Sequence, residues 1–157
     1  MCRRTIVPWD RLAGRRGSVH RVRVVSLSEV EVAIRSAWSS DTCDESDVSD
    51  WWPDSPARGQ CGVTALTLHD LVGGDLLMAE VLRPDGSRQG YYWWNRLAGG
   101  LEVDLTREQF MATELVQDPR VVPRPPGLPR RGREEYLRLR TRVFTSLGID
   151  TQPPAGA

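Results

Sequence analysis

One apolar segment and the turn-rich strands after it constrain this fold more than any other part of the sequence. Residues 58–72 begin as a short loop, become mostly apolar from Cys61 and stop at Gly73-Gly74, a pattern typical of a helix that ends at glycine. Three strand-like segments separated by glycine-containing turns follow at 75–83, 89–97 and 101–105. A buried helix followed by an antiparallel meander predicts an α+β fold.

Two further helices are predicted on either side of this unit. The first spans about Ser28 to Trp38, because Ser28 can cap it and apolar residues recur at helical spacing behind it. The last runs from about Arg133 to Leu147. Its apolar face is predicted to carry Tyr136, Leu139, Arg140, Val143 and Leu147.

The segment between the meander and the last helix is predicted to be mostly irregular. Thr106-Arg107-Glu108-Gln109 has the form of a capping box, so a short helix should start there and carry Phe110 and Met111 inward. Residues 118–131 contain five prolines. They predict a rigid connecting loop without regular structure.

A chain of 157 residues suits a single core, and we predict one domain over residues 25–149. Residues 1–24 carry seven arginines and predict a flexible arm, while residues 150–157 predict a disordered proline-rich tail. The acidic stretch 39–58 predicts a long loop. Its adjacent tryptophans, Trp51 and Trp52, need burial against the domain or against a ligand.

Charge, lysine and cysteine content exclude several functional classes. The 21 basic and 21 acidic groups cancel, so charge gives no reason to expect nucleic acid or a membrane as a partner. Lysine is absent, which excludes Schiff-base chemistry. Cys2, Cys43 and Cys61 lack disulfide or zinc-site spacing. With no apolar span or signal core, we expect a cytoplasmic protein. We also expect no cofactor.

Cys61 is the most suggestive position for chemistry. A thiol at a helix N-terminus lies near unsatisfied backbone amides, which favour the thiolate and so enhance its reactivity. A nearby amide is also able to hold an oxyanion. The alternative is that Cys61 is a small buried residue that only packs.

Several short motifs occur in a fixed order between Trp38 and Leu147. They are Trp38-Ser39-Ser40-Asp41-Thr42-Cys43, Trp52, Pro56-Ala57-Arg58-Gly59-Gln60-Cys61-Gly62-Val63-Thr64-Ala65-Leu66, Gly73-Gly74, Trp94-Asn95-Arg96-Leu97, Glu102-Val103-Asp104-Leu105-Thr106-Arg107-Glu108-Gln109-Phe110 and Glu135-Tyr136. In this order they resemble the YunG family of small bacterial proteins. The resemblance implies a papain-like fold similar to the NlpC/P60 and transglutaminase-like group, in which a helix-start cysteine faces a histidine and an acid on following strands.

The resemblance puts Cys61 at the nucleophile position and Asp104 at the position of the acid. Tyr92 stands where the family usually has a histidine, and a tyrosine with an ordinary pKa near 10 stays protonated at pH 7. His69 lies eight residues further along the same helix, about 12 Å from Cys61 along its axis. His20 lies in the arm, so the triad is predicted to be incomplete.

Three functions remain open for this site. In the first, Cys61 performs acyl transfer, ligation, cyclisation or hydrolysis on a small-molecule or peptide-like substrate that supplies the base, with Tyr92 donating a hydrogen bond and Asp104 orienting it. In the second, the fold has lost catalysis and binds a small ligand or a protein. In the third, the aromatic residues are simply core.

The strand that carries Tyr92 also supplies candidate binding residues. Strand alternation places Tyr92 and Trp94 on the same face, which should be the side of Cys61 if the resemblance holds. The residues predicted to bind substrate or hold the oxyanion are Gln60, Trp52, Trp94 and Asn95.

Overall fold

The computed structural model describes residues 24–150, and within them three α-helices pack with an antiparallel sheet. The helices are α1 (Leu27–Ala37), α2 (Cys61–Val72) and α3 (Arg133–Leu147). The strands are β1 (Asp75–Leu82), β2 (Arg88–Arg96), β3 (Glu102–Val103), β4 (Leu115–Val116) and β5 (Arg120–Val122). The predicted α+β class is confirmed. The predicted arm and tail lie, except for Val24 and Asp150, outside the described residues.

The sheet is built around β1, which has a neighbour on each side. On one side β2 pairs antiparallel with it from Asp75↔Arg96 to Leu82↔Arg88, and β3 pairs with the end of β2. This is the predicted meander, although its third strand is only two residues long. On the other side of β1 lie β4 and β5.

The proline-rich connector is more regular than predicted. β5 lies within residues 118–131 and pairs with Leu76, Leu77 and Met78 of β1, so the prediction of no regular structure there is wrong. Pro119 and Pro123 flank β5 without interrupting it, and prolines at strand ends remove no ladder hydrogen bond. The second edge of β1 attracts this short strand because its backbone groups need partners.

Two predicted N-caps are misplaced. α1 is capped by Ser26, whose hydroxyl accepts from the backbone N–H of Glu29 while the Glu29 carboxylate accepts from Ser26 N–H at 2.8 Å. This reciprocal pair satisfies two free amides at once, so the helix begins before Ser28. Thr106 makes no side-chain cap, and the predicted short helix is a single 3-10 turn, Arg107–Gln109.

The predictions of burial hold for the last helix but only in part for the residues of the loops. All five residues predicted for the inner face of α3 are buried. Phe110 packs on the sheet, whereas Met111 is 68% exposed, contrary to prediction. Trp51 is half-buried and its indole N–H donates to Pro56 O at 3.2 Å, but Trp52 is 67% exposed.

Two apolar clusters form the core. The larger lies among α1, α2 and α3 and includes Ile34, Leu68 and Leu139. The smaller lies on one face of the sheet and consists of Leu77, Ala79, Val81, Tyr92 and Trp94, with Cys61, Phe110 and Val116 packed against it. None of the helices within residues 24–150 is long and apolar enough to cross a membrane.

Candidate functional site

Cys61 is the first residue of α2, and its sulfur lies against an edge of β2. Alternate residues of a strand turn their backbone groups to the same edge, and the bond from Leu97 N–H to Leu101 O shows that this edge faces β3. β3 pairs only with Asn95 and Arg96. At Tyr91 this edge of β2 therefore lies beyond the end of β3. The half-buried Cys61 Sγ lies against it there, 4.0 Å from Tyr91 O.

The thiol of Cys61 is held in its protonated form. Burial raises its pKa to about 11, and the carboxylates of Asp47 and Asp44 act in the same direction. The backbone N–H groups of Trp93 and Gly62 lower it, but burial outweighs them. A thiol proton that points at a backbone carbonyl is also lost with difficulty, since the thiolate would face that oxygen.

The buried Tyr92, in the cluster that Cys61 contacts, pairs with the half-buried Asp104. The Tyr92 hydroxyl donates to Asp104 Oδ1 and lies 3.2 Å from Thr106 Oγ1. Burial raises the pKa of Tyr92, and its bond to Asp104 adds to that shift. Burial also raises the pKa of Asp104. Two rings fix the phenol, because Phe110 meets it edge-on at 4.4 Å between centroids and Trp94 lies 5.4 Å away.

Cys61 packs against the apolar cluster that contains Tyr92, but the two side chains are not hydrogen-bonded to each other. Among the described residues no hydrogen bond joins Cys61 Sγ to the Tyr92 hydroxyl, and the only proton of that hydroxyl is directed to Asp104. With its pKa raised, Tyr92 is deprotonated at neutral pH even less than free tyrosine, so it is less available as a base for the thiol. The geometry places Cys61 against the cluster of Tyr92, and Tyr92 against Asp104, and no group within residues 24–150 takes the thiol proton.

The four candidate binding residues occupy different places. Trp94 belongs to the cluster that Cys61 contacts, and its indole N–H donates to Glu102 at 2.9 Å. Gln60 is fully buried with its amide on Ser39 O, while Asn95 donates to the backbone of α2 at Ala65 O, each at 2.9 Å. Trp52 lies exposed in the long loop. Their roles toward a substrate stay predictions.

Among residues 24–150, His69 and Cys43 do not supply a base or a second reactive thiol. His69 lies in the last turn of α2, and burial lowers its pKa. His20 falls outside the described residues. Cys43 is fully buried, donates to Arg58 O at 3.3 Å, and has its pKa raised to about 12 by burial. Of the two described cysteines, Cys61 is the more accessible.

Thr106 is the site residue that sequence reasoning missed. Its place two residues after Asp104 was a signal, because that spacing lets the Thr106 backbone N–H reach Asp104 Oδ1, at 3.3 Å here. The capping-box pattern concealed it by assigning the hydroxyl to a helix start.

Two surface concavities of the described part, lined by residues 36–41 with Arg142 and by residues on α3, do not include Cys61.

Fold and site together define a small α+β protein with a helix-start cysteine packed against a buried tyrosine that bonds to an aspartate. The profile described as YunG protein matches residues 26–148, so the chain belongs to the YunG family. It is 30% identical over 86 residues to "Uncharacterized protein YunG" of Bacillus subtilis (strain 168). That match covers 55% of this chain and 64% of the relative, less than two thirds of its length. No solved structure matches the chain.

Proposed function

We propose that this protein is a papain-like cysteine acyltransferase or hydrolase in which Cys61 is the nucleophile and the substrate supplies the base. The observation that carries the proposal is the place of the Cys61 thiol, partly exposed at the start of α2 and packed against the cluster that contains Tyr92, whose hydroxyl donates to Asp104. The backbone N–H groups of Trp93 and Gly62 support it, because they favour the thiolate once the proton leaves. The substrate is a small-molecule or peptide-like acyl compound in the cytoplasm.

The proposed reaction forms and then breaks a thioester. Cys61 Sγ attacks the acyl carbon, the bond to the leaving group breaks, and the thiol proton moves to that basic leaving group. Water, or an amine or hydroxyl of a second substrate, then takes the acyl group and returns a proton to Cys61. In this scheme the Tyr92–Asp104 pair does not move and keeps its own proton throughout.

A second candidate function is binding without catalysis. It is favoured by one observation, that neither Tyr92 nor any other described side chain accepts the proton of Cys61, whose pKa is raised to about 11. In this case the fold binds a small ligand or a protein, and Cys61 only packs against the sheet.

The pH dependence of Cys61 alkylation is the first prediction. Because burial raises the thiol pKa to about 11, the thiolate fraction is small at neutral pH and grows until the pH passes that value. We expect a labelling rate at neutral pH well below that of a free cysteine, whose pKa is about 8.5, and a profile that still rises beyond pH 9. A midpoint below 8.5 would contradict the assigned protonation state.

Covalent trapping separates the two candidate functions. The wild-type protein and a Cys61→Ser control are incubated with activated esters, thioesters and amides, and acyl adducts are located by intact mass and peptide mapping. Acyl transfer requires an adduct on Cys61 that is absent from the control. No adduct from any donor class, together with binding of the same compounds, would overturn the enzyme proposal in favour of the binding function.

A further inference from the structure

Thr106 is almost fully buried, and its hydroxyl faces the Tyr92–Asp104 pair. The residue lies at the N-terminal boundary of the Arg107–Gln109 turn but makes no side-chain cap there. Its Oγ1 is 3.2 Å from the Tyr92 hydroxyl, while its backbone N–H donates to Asp104 Oδ1 at 3.3 Å. One threonine therefore contacts both members of the pair.

The direction of the Thr106 bond follows from proton counting. An ionised carboxylate only accepts, so the single proton of the Tyr92 hydroxyl lies in its bond to Asp104. The hydroxyl oxygen of Tyr92 is then the acceptor toward Thr106, which must be the donor. The Tyr92 hydroxyl thus donates one hydrogen bond, to Asp104, and accepts one, from Thr106.

We infer that Thr106 is a positioning residue that holds Tyr92 in a closed arrangement with Asp104 and occupies the acceptor site of the Tyr92 oxygen. Cys61 Sγ lies instead against the Tyr91 carbonyl. This inference rests on the proposed function only for its catalytic meaning, namely that Tyr92 takes no part in moving the thiol proton. The hydrogen-bond assignment itself is independent of whether Cys61 reacts.

The charged and polar surroundings of Tyr92 come from few directions. Asp104 bonds to it, and Arg107 lies 3.8 Å from the second oxygen of Asp104. Glu108 also acts on Asp104, and from α2 the Cys61 thiol acts on Tyr92. The remaining ring contacts, Trp94 and Phe110, carry no charge.

The test is an NMR measurement of the Tyr92 hydroxyl proton, assigned by its loss in Tyr92→Phe. In Thr106→Val, which keeps the shape of the side chain but removes the donor, we expect this signal to move upfield and to exchange with water about tenfold faster. Thr106→Ser keeps the donor and should restore both properties. Thr67→Val is the matched control, because Thr67 is equally buried but its hydroxyl has no hydrogen-bond partner among the described residues.

Each outcome bears on the inference. An unchanged Tyr92 signal in Thr106→Val, with only a loss of stability, would mean that Thr106 merely packs. If that variant fails to fold, the wild-type Thr106 hydroxyl proton decides, since it should show a nuclear Overhauser contact to the Tyr92 ring and no such contact would overturn the assignment. Failure of the proposed function is recognised separately, by the lack of an acyl adduct on Cys61 while the Tyr92 signal behaves as expected.

Discussion

Replacing Asp70 by alanine should lower the free energy of unfolding by about 3–5 kcal/mol, because it removes the carboxylate shared by the buried Arg140 and the half-buried Arg124. Asp70 lies on α2, and its carboxylate accepts from Tyr136 and from Arg140, at 3.2 Å, on α3. Arg124 of the connector donates to it twice, at 2.9 and 3.2 Å. One carboxylate thus joins two helices and the connector, and urea unfolding of the variant measures its contribution.

The matched control is Asp75→Ala. Asp75 also receives two N–H bonds from one arginine, Arg96, at 3.0 and 3.2 Å. Its side chain is 48% exposed, against 12% for Asp70. Exposed ion pairs contribute about 0–1 kcal/mol, so this variant should unfold near the wild-type urea concentration. Equal losses for the two variants would show that the Asp70 cluster does not join the helices as the geometry indicates.

The fold was predictable where local pattern and tertiary packing agree. α2 and α3 have the predicted ends at Gly73 and Leu147, because glycine stops and helical periodicity act within a few residues. β5 was missed because five prolines in the segment outweigh its two strand-forming valines when only local sequence is considered. Its pairing with β1 depends on a strand some forty residues earlier, which no local pattern contains.

For the candidate site, the sequence indicated which face of β2 lies toward Cys61 but not the protonation of the thiol. The resemblance brought Cys61, Tyr92 and Asp104 into consideration, and strand alternation put Tyr92 and Trp94 on one face. A helix start suggested a lowered thiol pKa, but the depth at which Cys61 lies on the β2 edge depends on tertiary packing, and burial raises that pKa instead. Likewise, the sequence predicted that the Thr106 hydroxyl caps a helix, but tertiary packing places it next to the Tyr92 hydroxyl.

The loop that leads into Cys61 is held in shape by Gly59, and Gly59→Ala should be strongly destabilising. Gly59 has a φ of +68°, which is costly for a residue with a Cβ. A Cβ there would lie 2.4 Å from Cys43 Sγ and 2.8 Å from Asp47 Cβ. Strain and overpacking together predict a loss of about 3–5 kcal/mol in the free energy of unfolding.

A double-mutant cycle separates the two causes of this loss. Gly86→Ala has the same backbone problem, with a φ of +80° but nothing within 4 Å of its Cβ, so it should cost about 1–2 kcal/mol. Cys43→Ala removes the sulfur that the Gly59→Ala methyl would strike. The double variant should therefore be more stable than the sum of the single losses predicts, by about 1–2 kcal/mol. Simple additivity would mean that contact with Cys43 contributes nothing, and that the backbone conformation and the contact with Asp47 require glycine two residues before the candidate nucleophile.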